Sequence, residues 1–197
     1  MSSSVQVPKP SLLELVIPGA IFSPEEFRRL FGVTLRATQE FIKDHNQDLF
    51  IKIRNGLYAL RSDPPHELEI ANRLYGPSYV SLEYALAYYR FIPETVYTIT
   101  SVTTKITREF TVQGKSYEYS RIKRSAYTGY KLIKEGQAKI LMALPEKALV
   151  DYCYFIDLRL KSLNERLRVR KVSAKEALRY ARLYGRESLV KRVRSLL

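Results

Sequence analysis

Arg36, Gln39 and Lys43 stand at i, i+3 and i+7, a spacing that puts all three on one face of a helix. The residue types suit nucleic acid. An arginine fork fits guanine O6 and N7, a glutamine amide fits adenine N6 and N7, and a lysine neutralises phosphate. An ordinary solvated helix face has the same composition, so position must decide between the two meanings. A second group lies in FIKIRNGLYAL, residues 50–60, where Lys52 and Arg54 precede Asn55-Gly56. Asn-Gly between apolar runs predicts a hairpin with a type I′ turn, which needs φ > 0 at both central residues. Lys52 and Arg54 near its tip either touch DNA backbone or minor groove, or protect the strand edges with charge. A third group is a stripe near the C-terminus: Lys175, Arg179, Arg182 and Arg186 at i, i+4, i+7 and i+11, continued by Lys191 and Arg194.

Residues for covalent or metal chemistry are sparse. The sequence has no G-x-x-x-x-G-K-[ST], G-x-G-x-x-G or G-x-S-x-G stretch. HELEI is not H-E-x-x-H, because Ile70 occupies the place of the second histidine, and His45 and His66 read as surface residues. The one cysteine, Cys153, excludes an internal disulfide and a multi-cysteine zinc site, and its apolar neighbours ALVDYCYFI mark it as buried. Lys147 and Asp151 stand at i, i+4, which reads as an intrahelical pair worth about 0.2–0.5 kcal/mol. Tyr117 and Tyr119 could stack on bases, but alternate positions of a strand more often bury aromatics. The expectation is a non-enzymatic protein without cofactor or metal.

The elements that must position these groups are legible locally. In FSPEEFRRLFG, Ser23 is an N-cap, Pro24 fits the first helical position, Glu26 completes a capping box and Gly32 stops the helix. Phe22 and Phe27 form a hydrophobic staple across the cap. Thr34 then caps LRATQEFIKDHNQ, with Ala37, Phe41 and Ile42 turned inward. Helix, tight turn, helix and ribbon is the order of a winged helix-turn-helix, whose second helix enters the major groove. The expected DNA-contacting set is therefore Thr34, Arg36, Gln39, Lys43, Lys52, Arg54 and Asn55. Pro64-Pro65 in RSDPPHE marks a boundary. The expected organisation is a disordered arm over 1–10, a winged helix over 11–62 and a second domain over 63–197.

In the second domain, ELEIANRLY and SLEYALAYY read as helices, the latter capped by Ser81 with Tyr84, Leu86 and Tyr88 mostly inward. TVYTITSVTT reads as a strand, ITREFTV-QG-KSYEYSRI as a hairpin, AKILMAL as a strand, and PEKALVDYCYFI as a helix opened by Pro145. Two helices, SAKEALRYARLYG and ESLVKRVRSLL, end the chain. The first has a Ser173/Glu176 capping box and an apolar face of Ala174, Ala177, Leu178 and Ala181. The fold class is α+β.

The formal net charge is +13 over 197 residues, which favours a polyanionic partner. It is uneven: residues 1–63 carry net +1, residues 64–197 carry net +12, and residues 159–197 alone carry net +10. The six cations of the C-terminal stripe are thus expected to form a second surface for DNA backbone or RNA. No stretch approaches the ~20 apolar residues of a membrane span, and MSSSVQVPKPS lacks the core of a signal peptide. A cytoplasmic protein with no membrane partner is expected.

The segment GPSYVSLEYALAYYRFIPETVYTITSVTTKITREF, with Tyr79-Val80-Ser81-Leu82-Glu83, Ile92-Pro93-Glu94 and Val102-Thr103, resembles the central signature of the AbiEi-type antitoxins of type IV toxin–antitoxin, abortive-infection systems. ALPEKALVDYCYF, residues 143–155, resembles the A-x-P-E-K-A-L-x-D helix of that family. Tyr89-Arg90-Phe91 departs from the usual Tyr-Gly-Leu. The resemblance runs from about Ile21 to the end. It implies a winged helix bound to the promoter of the protein's own operon, and a C-terminal domain that neutralises a nucleotidyltransferase-like toxin without a stable complex. A winged-helix regulator with an unrelated sensing domain, and an RNA-binding protein using the basic C-terminal half, are the alternatives left by the residues themselves.

Overall fold

Phe22 and Phe27 bring their ring centroids within 5.5 Å across a complete capping box, in which Ser23 Oγ accepts the Glu26 N–H and Glu26 returns a carboxylate to the Ser23 N–H. This starts α1 (Pro24–Phe31), and Gly32 ends it at φ 67°. The structure is a computed structural model that describes Leu13 and residues 19–197. The arm expected over 1–10 lies outside the described residues, as does most of the helix expected at 11–16. Leu13 itself is helical and buried. The protein is mixed α+β and divides into two units, up to Leu74 and from Tyr75, each with its own apolar core.

In the first unit, Thr34 Oγ1 accepts the Ala37 N–H and starts α2 (Leu35–Asp44). Thr38 and Ile42 are its buried residues, so Thr38 holds the inward place expected of Ala37. The ribbon β1 (Phe50–Arg54) and β2 (Leu57–Leu60) follows, antiparallel, and Phe22 exchanges backbone hydrogen bonds with Tyr58 beside it. Phe22, Phe27, Ile42, Phe50 and Leu60 share one core.

The turn is not the expected type I′. Gly56 has φ 75°, Asn55 is not among the positive-φ residues, and the pairing register shifts between Lys52 and Arg54. A bulge supplies the twist that a type I′ turn would otherwise provide. Ile51, Ile53, Leu57 and Ala59 are buried as well, so both faces of the ribbon carry buried residues, while Lys52, Arg54, Asn55 and Gly56 stay exposed. α3 (Glu67–Leu74) packs beside β1 and buries Leu68, Ala71 and Leu74. That packing places α3 in the first unit, beyond the Pro64-Pro65 boundary read from the sequence.

The second unit is a mixed six-stranded sheet in the order β5-β6-β4-β3-β8-β7. Its strands are β3 (Ser78–Val80), β4 (Ile99–Thr103), β5 (Arg108–Val112), β6 (Lys115–Arg121), β7 (Tyr130–Glu135) and β8 (Ala138–Ala143). The short β3 and the largely exposed β7 had no sequence signal of their own. Gln113 and Gly114 both take positive φ, 49° and 77°, so the type I′ geometry occurs in the β5–β6 hairpin instead.

α4 (Leu82–Tyr88) buries Leu82, Ala85 and Leu86, while Tyr88 is exposed, against the expected inward set. α5 (Pro145–Asp157) is buried continuously from Lys147 to Ile156. It packs against α4, α6 (Ala174–Arg182) and α7 (Glu187–Leu196). Tyr117 and Tyr119 are buried, so they do not offer faces to bases. Among the described residues no helix is long and apolar enough to cross a membrane.

Candidate functional site

α2 turns Arg36, Gln39 and Lys43 to solvent, the three-residue face read from the sequence. Gln39, Lys43 and Asn46 line one hollow of about 360 Å³ together with Lys52 and Gly56 of the ribbon. The helix face and hairpin tip therefore form a single concave polar surface with two lysines. Arg36 lies on the same helix and holds Glu40 at 3.0 Å with both side chains exposed. Such a pair contributes little and opens readily for a better acceptor. Thr34 is engaged as the cap, though exposed, and Asn55 is exposed at the turn.

Arg54 is exposed near the hairpin tip and also has a structural role. Its Nε donates to the Leu74 carbonyl at 3.0 Å and its Nη1 to the Asn55 carbonyl at 3.1 Å, so it ties the ribbon to the end of α3. Asn46 is the member that the sequence reading missed. It follows α2 in a run of turns, where no periodic pattern singles it out.

The largest departure lies in α5. Lys147 and Asp151 are both fully buried, not a solvated pair. Lys147 Nζ donates to Asp151 Oδ1, and Tyr184 OH donates to the same oxygen at 2.5 Å. Asp151 Oδ2 accepts from Ser81 Oγ at 2.8 Å and Tyr79 OH at 3.1 Å. Lys147 also donates to Tyr184 OH at 3.1 Å and lies 4.9 Å from that ring's centroid.

The carboxylate is thus held by four donors from the β3 region, α5 and the turn after α6. Burial pushes the Tyr79 and Tyr184 hydroxyls well above their ordinary range, and the neighbouring carboxylate adds to this, so both stay protonated donors. Burial lowers the Lys147 ammonium, with Asp151 opposing. No solvent reaches the centre, and its chemistry is cohesive: it joins helix to sheet. A sequence signal existed, since Lys147 and Asp151 interrupt an apolar run long enough to be a buried helix. Ser81 departs from its expected role in the same way. Its hydroxyl serves Asp151 and makes no cap hydrogen bond.

Burial also raises the Cys153 thiol to about 12, which leaves no thiolate at neutral pH. His45 Nδ1 lies 3.0 Å from Asp48, and His66 Nδ1 accepts the Leu68 N–H at 3.2 Å. Among the described residues no group of three histidine, cysteine or acidic side chains gathers as a metal-ligand set.

The C-terminal stripe is only partly available. Lys175, Arg179, Arg182, Lys191 and Arg194 are exposed. Arg179 pairs with Glu176 at 2.6 Å and lies over the Tyr180 ring, while Arg186 pairs with Asp157. The Ser173/Glu176 capping box is half formed: Ser173 Oγ accepts the Glu176 N–H at 3.4 Å, but Glu146 takes the Ser173 N–H. Ala174 is exposed, and α6 buries Ala177, Tyr180 and Ala181 instead.

Desolvation pushes the Asp157 carboxyl up, but Arg186 and Ser188 together hold it below its ordinary 3.8. A depressed carboxyl contributes stability that is present above the unfolded value and lost as pH falls through the folded one. Arg186→Gln should therefore narrow the gap between denaturation midpoints at neutral pH and near pH 3. Urea titrations at the two pH values measure it, and an unchanged gap would show that the pair carries no linkage.

No protein-family model matches the chain, and no curated protein matches it.

Proposed function

We propose that the chain is a DNA-binding antitoxin of the type IV class. In this reading the first unit is a winged helix-turn-helix that binds the promoter of its own operon, and the second unit neutralises a nucleotidyltransferase-like toxin without catalysis. The observation that carries the DNA part is the shared concave surface of Gln39, Lys43, Asn46 and Lys52. In a winged helix the second helix enters the major groove and the wing lies beside it, so these residues would meet base edges and phosphates together. The two lysines give that surface the sign it needs.

The antitoxin part rests on the resemblance. It is supported by where the matching residues fall. Tyr79 and Ser81 of the first matching stretch donate to Asp151 of the second. The two motifs thus describe one structural centre, as motifs that define a shared fold would. The exposed Lys175, Arg182, Lys191 and Arg194 favour a second, sequence-independent contact to operator backbone or RNA.

Footprinting the region upstream of the protein's own reading frame tests the proposal. Gln39→Ala and Arg36→Ala should each relax base preference at one position and cost about 1–3 kcal/mol. Lys43→Gln and Lys52→Gln should weaken all sequences alike, each flattening the log K against log [salt] slope by about 0.9. A folded Arg36→Ala/Gln39→Ala protein with the wild-type footprint and affinity would overturn the assignment.

A further inference from the structure

The second unit carries a groove of about 660 Å³ whose walls differ in chemistry. Tyr84 and Tyr88 supply an aromatic wall above the buried Phe91, and Arg90, Arg166 and Arg170 supply cations. Arg168 also lines it, but its Nη1 is engaged by the Glu165 and Leu167 carbonyls. The single acid of the lining, Glu94, is shared between Arg166 at 3.4 Å and Asn164 at 3.1 Å. Arg90 and Arg170 have no acidic partner among the described residues, and both are exposed.

Two backbone features aim these arginines. Arg90 terminates α4 in the left-handed region, φ 58°, with its N–H on the Ala87 carbonyl and the Phe91 N–H on the Leu86 carbonyl. Glycine is the ordinary occupant of this place in a helix stop, because a Cβ strains the conformation. A long cationic side chain held there against that preference is the kind of local strain that gathers at binding sites. The second feature is the run RLRVR, which leaves a turn at Glu165-Arg166. Leu167 and Val169 face the core, Arg166, Arg168 and Arg170 alternate outward, and the Arg168 N–H donates to the Phe91 carbonyl at 2.7 Å. That bond fixes the run beside the aromatic wall.

The geometry points to a binding groove for unpaired nucleotides of single-stranded nucleic acid, with phosphates on Arg90 and Arg170 and a base against the exposed Tyr88 ring. Guanidinium forks match phosphate oxygens, and exposed aromatic rings stack bases without regard to sequence. A duplex keeps its base faces inside the stack, so it cannot use the aromatic wall. The volume lies within the ~300–1,000 Å³ range of small-ligand sites, enough for a nucleotide. A free nucleotide offers the same chemistry as one unit of a strand. The groove is independent of the surface proposed for duplex DNA and would stand without it.

The test is fluorescence anisotropy of a short labelled oligouridine RNA with the full chain, with ATP as competitor. Arg90→Gly relieves the left-handed strain, so its melting temperature should equal or exceed that of the wild type. Its affinity for the RNA should nevertheless fall by about tenfold, the effect of one charge-assisted contact. Arg90→Gly/Arg170→Gln should fall further and flatten the salt slope by about 1.4, two phosphates of a single strand. Lys105→Gln/Lys131→Gln removes the same charge from exposed positions outside the groove and should lose much less. Displacement by ATP would mean that one nucleotide suffices. Failure of ATP to compete, with RNA binding still lost in the arginine variants, would mean that a strand is required. Wild-type RNA affinity in the folded Arg90→Gly/Arg170→Gln protein, or an equal loss in the Lys105/Lys131 control, would overturn the groove.

Discussion

Lys147→Ala is expected to lower the unfolding free energy by about 3–5 kcal/mol, the usual cost of removing one partner from a buried ion pair. The reason lies in what remains. Asp151 would keep the Tyr79, Ser81 and Tyr184 hydroxyls but would be a fully buried carboxylate with no counter-charge. Its surroundings cannot rehydrate it, because the α5 residues on either side are buried too. A solvated i, i+4 pair would lose only about 0.2–0.5 kcal/mol. The two readings therefore differ roughly tenfold in the quantity measured. Urea denaturation of the single variant decides between them, and a loss below about 1 kcal/mol would return the pair to the weak class. Replacing both residues with apolar ones of similar volume, Lys147→Met with Asp151→Leu, should recover part of the loss, since it removes the uncompensated charge. The three hydroxyls left without their acceptor set the remainder. Loss of biological activity in Lys147→Ala should then follow loss of folded protein.

Gly129→Ala should cost about 2–5 kcal/mol, combining the left-handed penalty with overpacking. Gly129 has φ 77°, and a Cβ built there would lie 2.8 Å from Cε1 and Cζ of Tyr180 and 3.0 Å from Cγ of Lys147. Tyr180 is buried on α6 and Lys147 is held by Asp151, so neither neighbour can swing aside cheaply. Gly114 separates the two contributions. Its φ is also 77°, but a Cβ there would meet nothing within 4 Å, so Gly114→Ala should pay only the conformational part, about 1–2 kcal/mol. The difference between the two variants in thermal or urea denaturation isolates the clash. Equal losses would mean that α6 gives way at Tyr180 and that the close approach is not required.

What the sequence determined by itself was local. Ser23, Pro24, Glu26, Gly32 and Thr34 act on neighbours within four residues, so the two helices and the exposed Arg36, Gln39 and Lys43 face were legible without any tertiary information. Strongly alternating or β-branched runs declared β4, β5, β6 and β8 for the same reason. β3 and β7 were not legible, because the strands beside them in the sheet supply what their own residues do not. The turn types also escaped: Asn55-Gly56 has the stronger preference, but a bulge in β1 relaxed the need for it, and Gln113-Gly114 took the type I′ geometry.

Charge was legible as an amount and not as a disposition. Thirteen basic residues crowd the last part of the chain, yet Asp157, far from Arg186 in sequence, draws Arg186 into a half-buried pair, while Arg179 stays exposed beside Glu176. The same limit governs Lys147 and Asp151. Their spacing is identical on a wet helix and a dry one, and only the packing of α4, α6 and α7 around α5 removes the water that would have screened them. Dielectric environment is a property of everything packed around a residue. Most of those atoms come from distant parts of the chain, so only the tertiary structure could decide it.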